Sequence, residues 1–221
     1  MDFFAAADST AQINLLSMAT KGGVLMAVLA VISIVAIAII IERLIKLNKA
    51  RINEAEFLNE ISVFLKEKNF ERAMQSCEEN PDSPVANVIV KLLENSRRGV
   101  TNTTEIIDLA ISKEIHSLEK HLGTISTFAA IAPLIGFLGT VTGMVKVFMR
   151  IGETGGGVDI SLLANGIWEA LITTIGGLTV GIITILFYNH LVGKVEDIAH
   201  NLEEDVSEFL IDVRSGKSGN Q

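Results

Sequence analysis

Three stretches of the chain lose the mixing of polar and apolar positions that marks a water-facing surface. Gly22 to Ile41 runs twenty residues without a charge, Gly123 to Val145 runs twenty-three, and Ala170 to Gly193 runs twenty-four. In the last, apolar character begins near Ile160 and is interrupted only by Glu169. A helix needs about 20 apolar residues to cross the hydrocarbon core of a bilayer. The pattern therefore predicts three membrane-spanning helices. A water-soluble bundle would have to hide all three segments inside one small core.

Between the first two stretches the period becomes helical and amphipathic. Phe57, Ile61, Phe64 and Leu65 share one face, as do Phe70, Ala73, Met74 and Cys77, which predicts short helices packed on one another. Asn80-Pro81-Asp82-Ser83-Pro84 is a break, with Ser83 as an N-cap and Pro84 as a first helical residue. The helix that follows should run to about Arg98 and stop at Gly99. Thr101 to Thr104 then offers fresh caps. No strong breaker occurs from Glu105 until Pro133, so Thr104 to Arg150 reads as one helix. At 1.5 Å per residue it would reach roughly 70 Å, well beyond a bilayer core, with Pro133 the place for a bend. In the tail, Val195, Ile198, Leu202, Val206, Phe209 and Val213 form a seam for a partner helix. Glu196, Asp197, Glu203, Glu204, Asp205 and Glu208 lie off that seam, as a solvated face would.

The fold class is thus all-α: an integral membrane protein with three transmembrane helices, two of them extending far into the cytoplasm, plus a small cytoplasmic helical region. The expected divisions are an amphipathic N-terminal segment (1–21), spans over 22–42, 123–150 and 161–192, a cytoplasmic helical region (43–122), an outer loop (151–160) and a cytoplasmic helix and tail (193–221).

Charge gives this arrangement a direction. The first acids, Asp2 and Asp8, replace the positive start of a secretory signal, so the first span is expected to remain in the mature protein. Lys21 precedes that span, whereas Arg43, Lys46, Lys49 and Arg51 follow it. Positive charge stays inside, so the N-terminus should face out and the C-terminus the cytoplasm. Lys146 and Arg150 end the second span on the outer side, where long cationic side chains snorkel. With a net charge of −8 over 221 residues there is no basic surplus to neutralise phosphates, which argues against nucleic acid as a partner. The single cysteine, Cys77, excludes a disulfide scaffold and suits a reducing compartment. His116, His121, His190 and His200 have no metal-ligand spacing. Gly155-Gly156-Gly157 lacks the surroundings of a phosphate loop. Neither an enzyme nor a cofactor is expected.

Candidate chemistry lies inside the spans. Gly136, Gly139, Thr140 and Gly143 share a face of the second. Gly166, Ala170, Thr173, Gly177, Gly181 and Thr184 follow helical spacing in the third. Small residues so placed let helices approach closely in lipid, either within one chain or, as expected here, against neighbouring subunits. Glu169 is the most informative residue. A carboxylate inside a span costs about 2.5–3.5 kcal/mol on insertion scales, so it faces a cavity or a partner, and a proton is its natural cargo. The alternative is a glutamate hydrated near the outer interface. Counted from Gly155, Thr140 and Glu169 should stand at similar depth. Thr140, Thr173 and Thr174 would line a wet path, unless each hydroxyl returns to its own helix carbonyl.

The stretch Ala129 to Val145, A-A-I-A-P-L-I-G-F-L-G-T-V-T-G-M-V, resembles the signature second helix of the TolQ/ExbB/MotA proton-channel family, most nearly its ExbB/TolQ members. Gly166 to Leu178, G-I-W-E-A-L-I-T-T-I-G-G-L, resembles the third helix, Tyr188-Asn189 its close, and Ile41-Glu42-Arg43 the end of the first, with Glu42 and Arg43 at the membrane boundary. Two departures occur. The family often has Trp where Thr142 stands, and Pro in the region of Val180 to Ile183. The resemblance implies a stator in the bacterial inner (cytoplasmic) membrane, with 1–21 and 151–160 periplasmic. It implies a homo-pentamer around a pore, threaded by two ExbD/TolR-like single-span subunits that each carry a membrane aspartate, and a TonB- or TolA-like protein downstream. Thr140 and Thr174 match its pore threonines and Glu169 its third-helix glutamate. Thr173 is nearer the Glu169 face on an ideal helix, so the choice between Thr173 and Thr174 stays open. The alternative function is a non-conducting membrane scaffold or signalling oligomer.

Overall fold

The computed structural model describes residues 23–50, 54–97, 103–153 and 160–218. The amphipathic segment over 1–21, the stop at Gly99 and most of the 151–160 loop lie outside them. Among the described residues every regular element is an α-helix. In chain order they are α1 (Gly23–Ala50), α2 (Glu54–Lys66), α3 (Phe70–Glu78), α4 (Pro84–Arg97), α5 (Thr103–Glu119), α6 (Leu122–Glu153) and α7 (Ile160–Ser218). Three helical runs, Gly23–Ala50, Thr104–Glu153 and Leu163–Ile211, are long and apolar enough to cross a membrane.

The run that reads as one helix from Thr104 to Arg150 is two. α5 ends at Glu119 and α6 starts at Leu122, with His121 at φ 68° between them. A left-handed residue cannot continue a right-handed helix. Histidine is one of the few side chains that visit this region with any frequency, which is why neither glycine nor proline was needed to make the break. Pro133, in contrast, is accommodated inside α6.

The chain divides into two compact units. One holds Thr124–Phe187 with α1 up to Ile39; the other holds Ile40–Gly123 with the chain from Tyr188 onward. The second has a water-driven core of large aliphatic side chains. Ile61, Val85, Val88 and Ile89 are fully buried, and Leu202, Val206 and Phe209 of the tail seam join them. The partner of that seam is therefore found within the chain, on α2 to α5. Local signals fix these helices as their sequence suggests. Ser83 Oγ accepts the Ala86 N–H at 3.3 Å, so it caps α4, which opens on Pro84. Asn69 caps α3 by accepting from the Arg72 N–H at 3.3 Å. Most of the acids off the tail seam are exposed. Asp205 departs from that face: its Oδ2 is buried without a hydrogen-bond partner.

In the first unit Leu29, Ile125, Val147 and Ile172 are buried, but many of the large apolar side chains point outward. Val31, Ile34, Leu134, Phe137, Ile175 and Leu186 are all exposed. An apolar surface this extensive needs lipid or other subunits around it.

Candidate functional site

The first unit is organised by a seam between α6 and α7. In this unit the buried positions on α6 are Ile125, Ala129, Ala132, Gly136, Gly139, Gly143 and Val147; on α7 they are Ala170, Ile172, Thr173, Gly177, Gly181 and Thr184. Each helix presents one narrow, mostly small face, so the backbones meet. A Cβ on Gly177 would lie 2.6 Å from the Ala132 carbonyl oxygen and 2.8 Å from the Gly136 Cα. One on Gly136 would lie 3.0 Å from the Thr173 carbonyl oxygen, one on Gly139 2.5 Å from Thr173 Cγ2, and one on Gly143 2.9 Å from Ala170 Cβ. Gly166 faces Val147, where a Cβ would collide with its methyl group. Gly181 sits over the Pro133 ring, 2.5 Å from Cγ to the position a Cβ would take. Proline donates nothing to the Ala129 carbonyl one turn back, and Gly181 lets α7 close over that spot.

All six glycines singled out in the sequence therefore lie at this contact. Their neighbours are in the same chain, which corrects the expectation that the small stripes face other subunits. The contacts also set the register. With Gly136 against Gly177 and Gly143 against Ala170, α6 and α7 run antiparallel, Thr140 stands level with Thr173, and Glu169 lies just over one turn, roughly 6 Å, toward the loop end. Thr140 and Glu169 are close in depth, as the count from Gly155 suggests, but not level.

The hydroxyls differ in their use. Thr140 donates to the Phe137 carbonyl at 2.6 Å and Thr173 to the Glu169 carbonyl at 2.9 Å, each within its own helix. Thr174 donates across the seam to the Gly136 carbonyl at 2.9 Å. Thr173 is buried against Gly139, whereas Thr174 keeps partial exposure.

Three helices meet at the Glu169 carboxylate. Oε1 is 3.6 Å from Lys146 Nζ of α6, and it lies 2.8 Å from the place a Cβ would take on Gly23, the first residue of α1. Gly23 has φ 64°, so both backbone and neighbour select glycine there. Met26 of the same helix packs on Gly176, so α1 runs parallel to α7. Glu169 and Lys146 line a cleft of 140 Å³ with Gly143, Val147, Arg150, Asn165 and Gly166. Sequence reasoning missed Lys146. It stands at the end of a charge-free run and reads as a side chain reaching for the interface. The available signal was its polar neighbour Arg150 one turn on, which marks a continuous cationic edge on α6.

A second polar cluster lies in the other unit. The Arg43 side chain is buried and donates from Nη2 to Glu42 Oε1 at 2.7 Å, while His121 Nδ1 stands 3.4 Å from the same Nη2. Arg43 Nε and Nη1 are buried without partners. The two boundary residues thus grip the turn between α5 and α6.

A profile of the MotA/TolQ/ExbB proton channel family matches residues 78–204. An ExbB homologue of Methanothermobacter thermautotrophicus is 27% identical over 191 residues, covering 86% of this chain and 67% of that one. The Tol-Pal system protein TolQ of Haemophilus influenzae is 34% identical over 142 residues, 64% of this chain and 55% of its own. The biopolymer transport protein ExbB of Xanthomonas campestris pv. campestris is 32% identical over 102 residues, 43% of this chain and 40% of its own. Three apolar helices, a carboxylate set among them and a profile match over more than half the sequence lead to one conclusion: this multi-pass membrane protein belongs to the MotA/TolQ/ExbB proton channel family, on its ExbB/TolQ side.

Proposed function

We propose that the chain is a channel-forming subunit of a proton-driven stator in the bacterial inner membrane. Five copies surround a central path, and two ExbD/TolR-like single-span partners, each with a membrane aspartate, occupy it. The N-terminus is periplasmic and the C-terminus cytoplasmic, as the cations Arg43, Lys46 and Lys49 at the end of α1 favour. The work reaches a TonB- or TolA-like protein and serves outer-membrane transport or an envelope process, consistent with the biopolymer-transport and Tol-Pal names of the relatives.

The observation that carries this reading is Glu169. It is the one acid between Ile160 and Tyr188, and it lies half-buried beside a cleft where α1, α6 and α7 converge. One carboxylate cannot move a proton across a whole bilayer without a second carrier. A partner's aspartate supplies it, with water held by Thr140 and Thr174 between the two, while Thr173, buried against Gly139, keeps α6 and α7 in register beside Glu169. Each proton then releases about 2.3 kcal/mol per 100 mV of potential, enough to bias a mechanical step.

The test is proton flux in liposomes holding the chain with its single-span partner. Glu169→Gln should abolish flux. Thr140→Val and Thr174→Val should each slow it about fivefold, the loss of one hydrogen bond of about 1 kcal/mol. Full flux in all three variants overturns the reading. The second reading, a non-conducting scaffold or signalling oligomer, draws on the Thr140 and Thr173 hydroxyls being turned to their own helices. An intact complex that passes no protons would favour it.

A further inference from the structure

Glu169 is not alone at its depth. Lys146 Nζ stands 3.6 Å from its Oε1, on the facing helix, and the two flank a 140 Å³ cleft that also takes in Arg150 and Asn165. From the three helices around this point, the ionisable groups are few. α1 offers none between Gly23 and Ile41. α6 offers Lys146, Arg150 and Glu153 at its end. α7 offers Glu169 alone before Tyr188. Among the described residues of these helices, the charge nearest the carboxylate is thus a cation, placed on its loop side.

The geometry is not incidental to helix packing. Gly143 and Gly166 hold the α6 and α7 backbones close on either side of the pair. A lysine stem leaving α6 there is brought within reach of a carboxylate leaving α7. On the opposite side Gly23 blocks retreat, since Oε1 already lies against its backbone. Lys146 itself is largely exposed, so its ammonium is free to swing. Its charge is compact, mobile and borne on a flexible stem.

We infer that Lys146 is the resting counter-ion of Glu169 and a gate at the outer end of its proton path. The inference rests on the proton-path reading of Glu169 and adds a residue that this reading does not need. In the closed arrangement the ammonium stands against the carboxylate and repels an incoming hydronium. When the ammonium swings away, a proton from outer water binds Oε1. When that proton moves on to the next acceptor, the carboxylate regains its charge and recaptures Lys146. Lys146 keeps all its protons throughout, so the cycle transfers one proton and consumes nothing. Lys146 is a positioning residue and does not itself carry the proton.

The test uses the chain reconstituted with its single-span partner, and reads proton flux against external pH for Lys146→Met, Lys146→Arg and Glu169→Gln. Without the neighbouring cation to repel hydronium, Lys146→Met should reach half-maximal flux at a higher external pH than the native chain. Lys146→Arg keeps the charge and should keep the profile. An unmoved profile in Lys146→Met overturns the gate while leaving the Glu169 path standing. Full flux in Glu169→Gln overturns the path itself, so the two failures are distinct. Native mass spectrometry checks assembly of each variant, with Lys146→Gln as a second neutral form. If both neutral forms fail to assemble while Lys146→Arg does, the pair serves folding and the gate is overturned.

Discussion

The two units of this chain are held together by opposite means. In the unit containing α2 to α5, large side chains meet: Ile61, Val85, Ile89 and Leu202 are fully buried. Along the α6–α7 seam of the other unit most of what meets is small, and many of that unit's large side chains point away. Water explains the first pattern. Burying a leucine or isoleucine removes apolar surface from it, worth about 1.5–3 kcal/mol each. Lipid explains the second. It offers no such gain, so close backbone approach and dispersion do the holding, and glycine is what permits them. The same residue types therefore carry opposite meanings in the two units. An exposed isoleucine is ordinary on α1, and a buried glycine is a structural necessity on α7.

The largest expected effect comes from placing bulk in the seam. Gly177→Leu would drive a side chain into the Ala132 carbonyl, a backbone atom that cannot step aside. We expect a loss of about 3 kcal/mol or more, read as failure to recover folded protein in detergent. If Gly177→Leu is recovered with normal thermal stability, the contrast between the units collapses. Next is a truncation carried out in both units. Ile89→Ala should cost about 3 kcal/mol, because it opens a cavity in a packed core. Ile34→Ala, on the outward face of α1, should change stability by under about 0.5 kcal/mol. Thermal melts of the two variants in one detergent give the comparison directly, and equal losses would refute it.

The smallest effect concerns Cys77. Burial, followed by the charges of Glu78 and Glu60, pushes its thiol up to about 12 from an ordinary value of 9.0. A folded value above the unfolded one means that its stability contribution is intact below pH 9 and is lost as the pH rises from there toward 12. Cys77→Ala should flatten that alkaline decline. In the native protein at pH 8, Cys77 should resist maleimide until the chain is unfolded; rapid labelling would show that this core is open.

The spans were legible because hardly any structure except a bilayer crossing calls for twenty or more residues in a row without a charge. The Ser83 cap was legible because its signal is local, as was the periodic tail seam. What escaped the sequence depends on contacts between distant residues. No pattern distinguishes the glycine that meets its own chain from one that meets a neighbour. The break at His121 came from a residue that tolerates a left-handed backbone without being glycine. The Lys146–Glu169 pair depends on the register of α6 against α7, which Gly136, Gly143 and Gly177 set by contact. Counting outward from the loop centre places Thr140 opposite Glu169 and passes over Lys146.

Thr140, Thr173 and Thr174 each give their only hydrogen to a carbonyl oxygen: Thr140 to Phe137, Thr173 to Glu169 and Thr174 to Gly136. A hydroxyl so engaged has nothing left but lone pairs. Thr140 and Thr174 keep some exposure, so a molecule that reaches either meets acceptors and must bring its own hydrogens, which chloride does not have.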